Sequence, residues 1–208
     1  MDGVLADTEP MHGECFIRAF ETVGIRTTLA DYRSAVTIGG SPVKDFFFAL
    51  GGSRAEWEAV LPLKHANFRK LVAEKCEPMP GVIELLTTLR QAGIRTAVAT
   101  SAREISLSIV LDKLGIRSYF DEFVTKRDVK LEKPDPEGYL IATRRLGLKP
   151  EDCVAMEDSP RGVLAAYRAG MKCVAIPTPS TADGDFTHAT LIVKSLEDVT
   201  IETLRGLF

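Results

Sequence analysis

The 208-residue sequence lacks paired cysteine motifs, basic stripes and long apolar runs. Its four cysteines form no C-x-x-C pair and no zinc-type spacing with histidine, so we expect free thiols in a reducing cytosol. The net charge of −3, without a basic cluster, disfavours a nucleic-acid partner. No window approaches the ~18 apolar residues of a membrane span, and no signal peptide is recognisable. These absences favour a cytoplasmic globular protein that acts away from membranes.

Apolar residues make up 45% of the chain, enough for a substantial core. Residues 9–75 show helical spacing of apolar side chains throughout, and Pro62 is expected to kink or divide the last helix. After the segment Pro78–Gly81, whose prolines and glycine interrupt regular structure, helices alternate with short apolar strands. This alternation predicts an α/β fold with a parallel sheet. The predicted helices are 9–24, 29–36, 42–50, 53–75, 81–92, 103–114, 136–147, 160–169 and 196–206. The predicted strands are 94–100, 123–124, 153–156, 172–176 and 191–193.

Ligands of parallel sheets bind beyond the carboxyl ends of the strands, so the residues that follow each strand are the candidates. Thr100 and Ser101 follow one strand; they could hold a phosphoryl oxygen or cap the next helix. Glu157 and Asp158 follow another. Adjacent carboxylates at a sheet edge repel one another and favour a bound cation such as Mg²⁺, although Ser159 beside them could simply cap a helix.

Two further candidates are weak when taken singly. Lys133 precedes a proline in the segment Leu131–Pro136, where a solvated loop lysine is the ordinary interpretation. Asp2 lies in an Asp-Gly turn close to the N-terminus, a position that by itself indicates little. Together with the strand-end residues, however, they form an ordered set of four motifs across an α/β alternation.

That set resembles the haloacid dehalogenase-like hydrolase superfamily, and within it the β-phosphoglucomutase-like phosphatases with an inserted helical cap. The resemblance covers the whole chain. It implies a Rossmann-like core formed by residues 1–8 and 78–208, and an all-helical cap formed by residues 9–77. It also implies a Mg²⁺-dependent phosphohydrolase acting on a small phosphorylated metabolite, such as a sugar phosphate, through an aspartyl-phosphate intermediate.

The resemblance assigns the roles residue by residue. Asp2 matches the general acid/base, and Lys133 matches the lysine that neutralises the phosphoryl group and the nucleophile. Thr100, with Ser101 beside it, matches the phosphoryl-binding motif. Asp2, Glu157 and Asp158 match the carboxylates that hold Mg²⁺. An acid/base aspartate together with a metal-binding pair favours phosphoryl chemistry over dehalogenation.

The first motif departs from the family pattern. The family's nucleophilic aspartate lies two positions before Asp2, whereas the given sequence begins at Met1, one position before it. Three explanations remain open: a start at an internal methionine, a truncation, or a pseudoenzyme. The central strand that would precede this motif buries apolar side chains worth on the order of 5–10 kcal/mol, comparable with a whole domain's stability. This cost favours the first two explanations. The 208 residues as they stand are not expected to turn over phosphate esters.

The second departure lies in the predicted cap. Mutases of this group carry an arginine after a Gly-x-Ser turn, whereas this chain has Gly39-Gly40-Ser41-Pro42, with Lys44 as a possible substitute. His12 matches a hinge histidine, although an ordinary polar helix position explains it equally well. The absent arginine favours a phosphatase over a phosphosugar mutase. A non-catalytic phosphometabolite-binding protein remains the alternative outside enzymes, and the sequence leaves the oligomeric state open.

Overall fold

A computed structural model describes all residues from Met1 to Phe208. The chain divides into two compact units, one formed by Met1–Ala6 with Glu77–Phe208 and the other by Asp7–Cys76. These divisions lie one or two residues from the boundaries expected for core and cap, and the assignment of the units as separate domains stays a prediction.

The unit Asp7–Cys76 contains only helices. They are α1 (Glu9–Glu21), α2 (Leu29–Tyr32), a π-helical turn (Arg33–Ile38), α3 (Val43–Ala49) and α4 (Arg54–Lys75). The prediction of a single α-helix over residues 29–36 is wrong, because the chain changes to π-helical hydrogen bonding after Tyr32. The helix expected over 42–50 starts one residue later, at Val43, and Pro42 precedes its first turn without a side-chain cap.

Helix α4 is a continuous helix of 22 residues. Ser53 caps it by accepting from the Glu56 N–H, while the Glu56 carboxylate accepts from the Ser53 N–H in return. Pro62 lies within the helix and does not divide it. Helix α4 and α1 pack against each other around a buried aromatic cluster that contains Phe20 and Phe47.

The other unit alternates helices and strands. Its helices are α5 (Val82–Gln91), α6 (Glu104–Leu114), α7 (Glu137–Leu146), α8 (Pro160–Arg168) and α9 (Ile201–Arg205). Its strands are β1 (Ala97–Ala99), β2 (Glu122–Val124), β3 (Val154–Glu157), β4 (Lys172–Ala175) and β5 (Leu191–Ile192). The helix expected over 196–206 is instead a short 3₁₀ turn followed by α9, because Thr200 caps a new start by accepting from the Thr203 N–H.

The strands form two parallel sheets, one with the order β1-β2 and one with the order β3-β4-β5. Parallel strands joined by helices confirm the predicted α/β fold class. A buried apolar cluster covers each side of these strands. One, called here the α5 face, includes Val98 and Val174 with residues of α5 and α9. The other, the α7 face, includes Ala155 and Cys173 with residues of α7 and α8.

The helices give no support for a membrane-spanning role, since none combines the length and the apolar character that a crossing requires. All four cysteines are free thiols, as expected; Cys153 is partly exposed, and the other three are buried.

Candidate active site

Lys133 and Glu157 form a buried ion pair where β1 and β3 end. The Lys133 Nζ lies 2.5 Å from Glu157 Oε1 and also donates to the Ala99 carbonyl oxygen at 3.1 Å. The two side chains are only 18% and 6% exposed. Lys133 is therefore not the solvated loop lysine of the ordinary interpretation, and it links the carboxyl ends of two strands.

The Glu157 carboxylate receives three side-chain donors. Besides Lys133, the Tyr139 hydroxyl donates to Oε1, and the Ser159 hydroxyl donates to Oε2 at 3.3 Å. Burial by itself would raise the pKa of Glu157, but the Lys133 ammonium, the Met1 amino group and the hydrogen bonds from Lys133 and Tyr139 outweigh burial and lower the pKa. Glu157 is thus held as a carboxylate inside the protein.

Asp158, the next residue, shows the opposite behaviour. Burial raises the pKa of Asp158 to about 7, and the negative charges of Glu157 and Asp2 add to the effect. Its carbonyl oxygen accepts from the Thr181 hydroxyl at 2.6 Å. The structure thus brings Asp2, Glu157 and Asp158 into electrostatic contact, with more negative charge than Lys133 alone offsets.

Two glycines give these carboxylates their space. Gly3 has a φ of +68°, and a Cβ at that position would overlap the Asp158 carboxylate. A Cβ at Gly162 would overlap the Glu157 carboxylate in the same way. We did not single out either glycine in the sequence. Gly162 offered one signal, since it lies three residues after the capping Ser159, whose hydroxyl accepts from the Gly162 N–H.

Thr100 and Ser101 lie at the end of β1. Thr100 is 8% exposed, and its hydroxyl accepts from the Ala102 N–H at 3.1 Å. The capping interpretation is wrong, because Arg103 precedes α6 and no side chain caps the helix there. Ser101 is exposed at the same strand end. Both hydroxyls accordingly stay candidates for phosphoryl binding.

Arginine side chains fasten the segment that carries Lys133. Arg161 of α8 donates to the Lys133 carbonyl oxygen through Nε at 3.1 Å and also through Nη2, and Arg168 donates to the Pro134 carbonyl oxygen at 3.1 Å. The Lys133–Pro134 peptide bond is cis. These positioning residues were missed in the sequence, because Arg161 and Arg168 lie about 30 residues from the segment they hold.

The remaining candidates, His12 and Lys44, belong to the helical unit. His12 stacks on Phe68 with ring centroids 4.1 Å apart, and its Nδ1 lies 2.8 Å from Nζ of the buried Lys64. His12 therefore makes a polar contact with Lys64 and stacks on Phe68, so it is not an ordinary polar position on the surface of a helix. Lys44 lies over the Phe48 ring, 5.6 Å from its centroid. Their roles in substrate binding stay predictions.

The predicted metal ligands fit a hard cation in their chemistry. Burial, followed by the negative charges of Glu157 and Asp2, raises the pKa of the partly buried Asp158, and a divalent cation would offset that negative charge. Oε1 of Glu157 is engaged by Lys133 and Tyr139, whereas Oε2 accepts only the Ser159 hydroxyl. No group of three acidic, histidine or cysteine side chains is gathered at coordination distance around one point. The carboxylates are thus of the chemical type that binds a hard cation, and the assignment of Asp2, Glu157 and Asp158 as its ligands stays a prediction.

Comparison with known proteins points in the same direction. Residues 1–176 match the family described as haloacid dehalogenase-like hydrolase. The phosphorylated carbohydrates phosphatase of Thermotoga maritima is 33% identical over 187 residues, which cover 88% of this chain and 85% of that protein. The fructose-1-phosphate phosphatase YqaB of Escherichia coli is 30% identical and covers 84% of this chain and 92% of that protein.

Solved structures share the fold over nearly the whole length. A CbbY mutant from Rhodobacter sphaeroides in complex with xylulose-1,5-bisphosphate superposes with a TM-score of 0.88 at 28% identity. The match covers 98% of this chain and 96% of that one. These findings confirm the family resemblance read from the four motifs.

Proposed function

This chain belongs to the haloacid dehalogenase-like hydrolase family, as an enzyme of its phosphatase type, and from that premise we propose that it hydrolyses small sugar phosphates. The single observation that carries the proposal is the buried Lys133–Glu157 pair beside the charge-rich Asp158. A lysine and a cation held by carboxylates at a sheet edge are suited to a dianionic phosphoryl group.

The substrate class follows from the named relatives. Two of them are phosphatases of phosphorylated carbohydrates and of fructose 1-phosphate, and a structural relative binds xylulose-1,5-bisphosphate. We propose a phosphorylated sugar of similar size as the substrate. The free thiols fit a reducing compartment, so we further propose a cytoplasmic location.

The residues of the chain divide the work as follows. Lys133 offsets negative charge on the phosphoryl oxygens, and Glu157 holds the lysine ammonium at the strand ends. The Thr100 and Ser101 hydroxyls orient the phosphoryl group, and Asp2 donates a proton to the leaving alcohol and later accepts one from water. Mg²⁺, when bound by Asp2, Glu157 and Asp158, supplies further positive charge for the phosphoryl oxygens.

The aspartyl-phosphate route needs a nucleophilic carboxylate. The family pattern places it two positions before Asp2, ahead of Met1. Turnover by this route is accordingly expected from a protein that carries an apolar strand ending in this aspartate ahead of Met1, called here the extended protein.

The test is a phosphate-release assay on the extended protein with a panel of sugar phosphates, once with Mg²⁺ and once with EDTA. We expect the extended protein to release phosphate only with Mg²⁺, and Lys133→Met and Asp158→Asn to lower kcat at least a hundredfold. Asp183→Asn, at an exposed acidic position, serves as the control variant. Mg²⁺-independent turnover, or full activity of Lys133→Met, would contradict the proposal.

The mutase alternative makes a different prediction in the same assay. A phosphosugar mutase needs a sugar bisphosphate as activator and returns a sugar monophosphate, whereas a phosphatase releases inorganic phosphate without one. The sequence has proline instead of arginine after the Gly39-Gly40-Ser41 turn, which favours the phosphatase. Binding without turnover by the extended protein would indicate the non-catalytic alternative.

A further inference from the structure

The loop that follows β4 contains none of the predicted site residues. It comprises residues 177–184, just beyond the residues that match the hydrolase family, and is called here the β4 loop. Because β3 and β4 are parallel neighbours, their carboxyl ends lie at the same edge of the sheet. The β4 loop therefore starts beside Asp158, which follows β3.

A hydroxyl group of the β4 loop holds the backbone of Asp158. The Thr181 hydroxyl donates to the Asp158 carbonyl oxygen, and the two oxygen atoms lie 2.6 Å apart. A hydroxyl has one hydrogen to donate, and the competing acceptor, the Thr178 carbonyl oxygen, lies 3.4 Å away. The shorter contact takes the hydrogen, so the loop is fastened to the Asp158 peptide group.

Two further contacts orient the Thr181 hydroxyl. The Thr178 N–H donates to Thr181 Oγ1 at 3.0 Å, and the Thr178 hydroxyl oxygen lies 3.2 Å from it. Because the Thr181 hydrogen is given to Asp158, the Thr178 hydroxyl is the donor in the second contact. Of the three contacts that fix the Thr181 hydroxyl, only the one with Asp158 leaves the loop.

The β4 loop is packed against the start of α8. Thr178 is only 4% exposed. A Cβ at Gly184 would overlap the ring of Pro160, the first residue of α8, so the backbone of the loop lies directly on this proline. Phe186, just after the loop, is buried in the α7 face. The loop therefore has a fixed position beside the residue that it holds.

Asp158 is confined at its side chain as well as at its backbone. A Cβ at Gly3 would overlap the Asp158 carboxylate, so the Gly3 backbone limits the carboxylate on that side. The peptide group that Thr181 holds sets the direction in which the side chain leaves the backbone. With both ends constrained, the carboxylate is kept in one orientation.

We infer that Thr181 is a positioning residue for Asp158, the predicted cation ligand. Its hydroxyl holds the Asp158 peptide group and thereby keeps the carboxylate in the orientation that binds the cation. Removing a group that orients a metal ligand typically lowers metal affinity by about 10–100-fold. The inference rests on the proposed function, from which it takes the cation at Asp158.

The experiment measures Mn²⁺ binding to the 208-residue protein by electron paramagnetic resonance, with Mg²⁺ as the competitor. Both ions prefer oxygen ligands. Thr181→Val keeps the shape of the side chain and removes the hydroxyl, and we expect its Kd for Mn²⁺ to rise at least tenfold. Thr181→Ser keeps the hydroxyl and should bind Mn²⁺ nearly as tightly as the parent protein.

Thr178→Val is the matched control. It removes a hydroxyl from the same turn, but that hydroxyl contacts Thr181 and not Asp158, so the Kd for Mn²⁺ should stay close to that of the parent protein. Thermal unfolding gives the folded fraction of each variant at the assay temperature, and Kd is referred to that fraction. Thr181→Ala replaces Thr181→Val where the latter fails to fold.

Hydrogen exchange tests the same contact from the side of the loop. Coupling between two sites is reciprocal, so if Thr181 strengthens cation binding at Asp158, the bound cation must also stabilise the β4 loop. We expect saturating Mg²⁺ to slow amide exchange in residues 178–184 of the parent protein and not in Thr181→Val.

Three results would overturn the inference. If the parent protein binds Mn²⁺ and Thr181→Val binds it equally well, Thr181 only shapes the turn, and the proposed function is unaffected. If Thr178→Val loses as much affinity as Thr181→Val, the turn as a whole matters and the contact with Asp158 does not. If the parent protein binds no Mn²⁺ at millimolar concentration, the inference fails together with the cation of the proposed function.

Discussion

At the scale of single residues, the candidate site depends on contacts that leave almost no free space. The Glu157 carboxylate is 6% exposed, accepts from Lys133, Tyr139 and Ser159, and packs against Gly162. Such packing makes the residues around a catalytic group as sensitive to substitution as the group itself.

The first prediction concerns Gly162→Ala. In a helix, alanine is ordinarily more stable than glycine by about 1 kcal/mol, but here the new methyl group would displace the Glu157 carboxylate. We expect a net loss of roughly 1–3 kcal/mol in the free energy of unfolding. In the extended, active protein, kcat should fall at least tenfold. Urea denaturation and the phosphate-release assay measure the two effects.

Gly138→Ala is the matched control, because its Cβ would meet only a Val129 methyl group at 3.7 Å. This helical glycine should tolerate alanine and gain up to about 1 kcal/mol. If Gly162→Ala changes the free energy of unfolding and kcat no more than Gly138→Ala does, the close contact with Glu157 matters for neither stability nor catalysis.

At the scale of secondary-structure elements, side-chain hydrogen bonds connect segments that the backbone leaves separate. Asp128 follows β2 and accepts from both the N–H and the hydroxyl of Thr125. It also forms an ion pair of 2.6 Å with Arg145 of α7. One carboxylate thereby connects the end of a strand to a helix.

The pH dependence of this connection can be predicted. The Arg145 hydrogen bond, followed by those of Thr125, lowers the pKa of Asp128 from 3.8 to about 2. A lowered pKa stabilises the fold above the unfolded-state pKa of ~3.9, and the contribution is lost as pH falls through about 2. We expect Asp128→Asn to lose roughly 1–2 kcal/mol at pH 6, after allowance for solvent screening.

The measurement compares urea denaturation of the parent protein and Asp128→Asn between pH 2 and 6. The difference should be largest near pH 6 and shrink toward pH 2. Asp183→Asn, at an exposed position, should show little difference at any pH. A difference for Asp128→Asn that grows as pH falls would contradict the assignment.

Pro62 provides a test within a helix. Proline in a helix interior removes one hydrogen bond and costs about 3 kcal/mol relative to alanine, yet α4 continues through this exposed position. We expect Pro62→Ala to raise the free energy of unfolding by about 1–3 kcal/mol, measured by thermal and urea denaturation. Leu63→Ala, at the neighbouring exposed position, is the control and should change it little. A loss of stability in Pro62→Ala would mean that the helix needs the proline.

At the scale of the whole molecule, the chain contains two compact units, each with its own apolar core. The core of the helical unit is dominated by aromatic side chains, among them Phe20 and Phe47, whose ring centroids lie 4.8 Å apart. A unit of this size is close to the lower limit for independent folding, so its core decides whether it folds alone.

We predict that residues 7–76 fold as an isolated fragment. Circular dichroism should show helical signal and a cooperative thermal transition, because the buried aromatic cluster lies entirely inside this unit. Phe20→Ala should abolish the transition, since removing a buried phenylalanine costs about 3–5 kcal/mol. Trp57, which stacks on Phe16, offers a fluorescence signal for the same unfolding. A fragment without a cooperative transition would show that the two units fold as one.

The sequence by itself determined the fold class and the family, because these depend on local signals. Apolar periodicity and the turn at residues 78–81 separate helical from alternating segments, and the motifs around Thr100 and Glu157 follow strand ends. The same local reasoning failed at residues 33–38 and 196–206, where capping and π-helical bonding divide segments that appear continuous in the sequence.

Only the tertiary structure decided which side chains meet. Lys133 reaches Glu157 across 24 residues of chain, Tyr139 donates to the same carboxylate, and Gly3 packs against Asp158. Sequence spacing cannot specify such contacts, because they depend on how the strands and helices pack in three dimensions, whereas periodicity and capping act within a few residues.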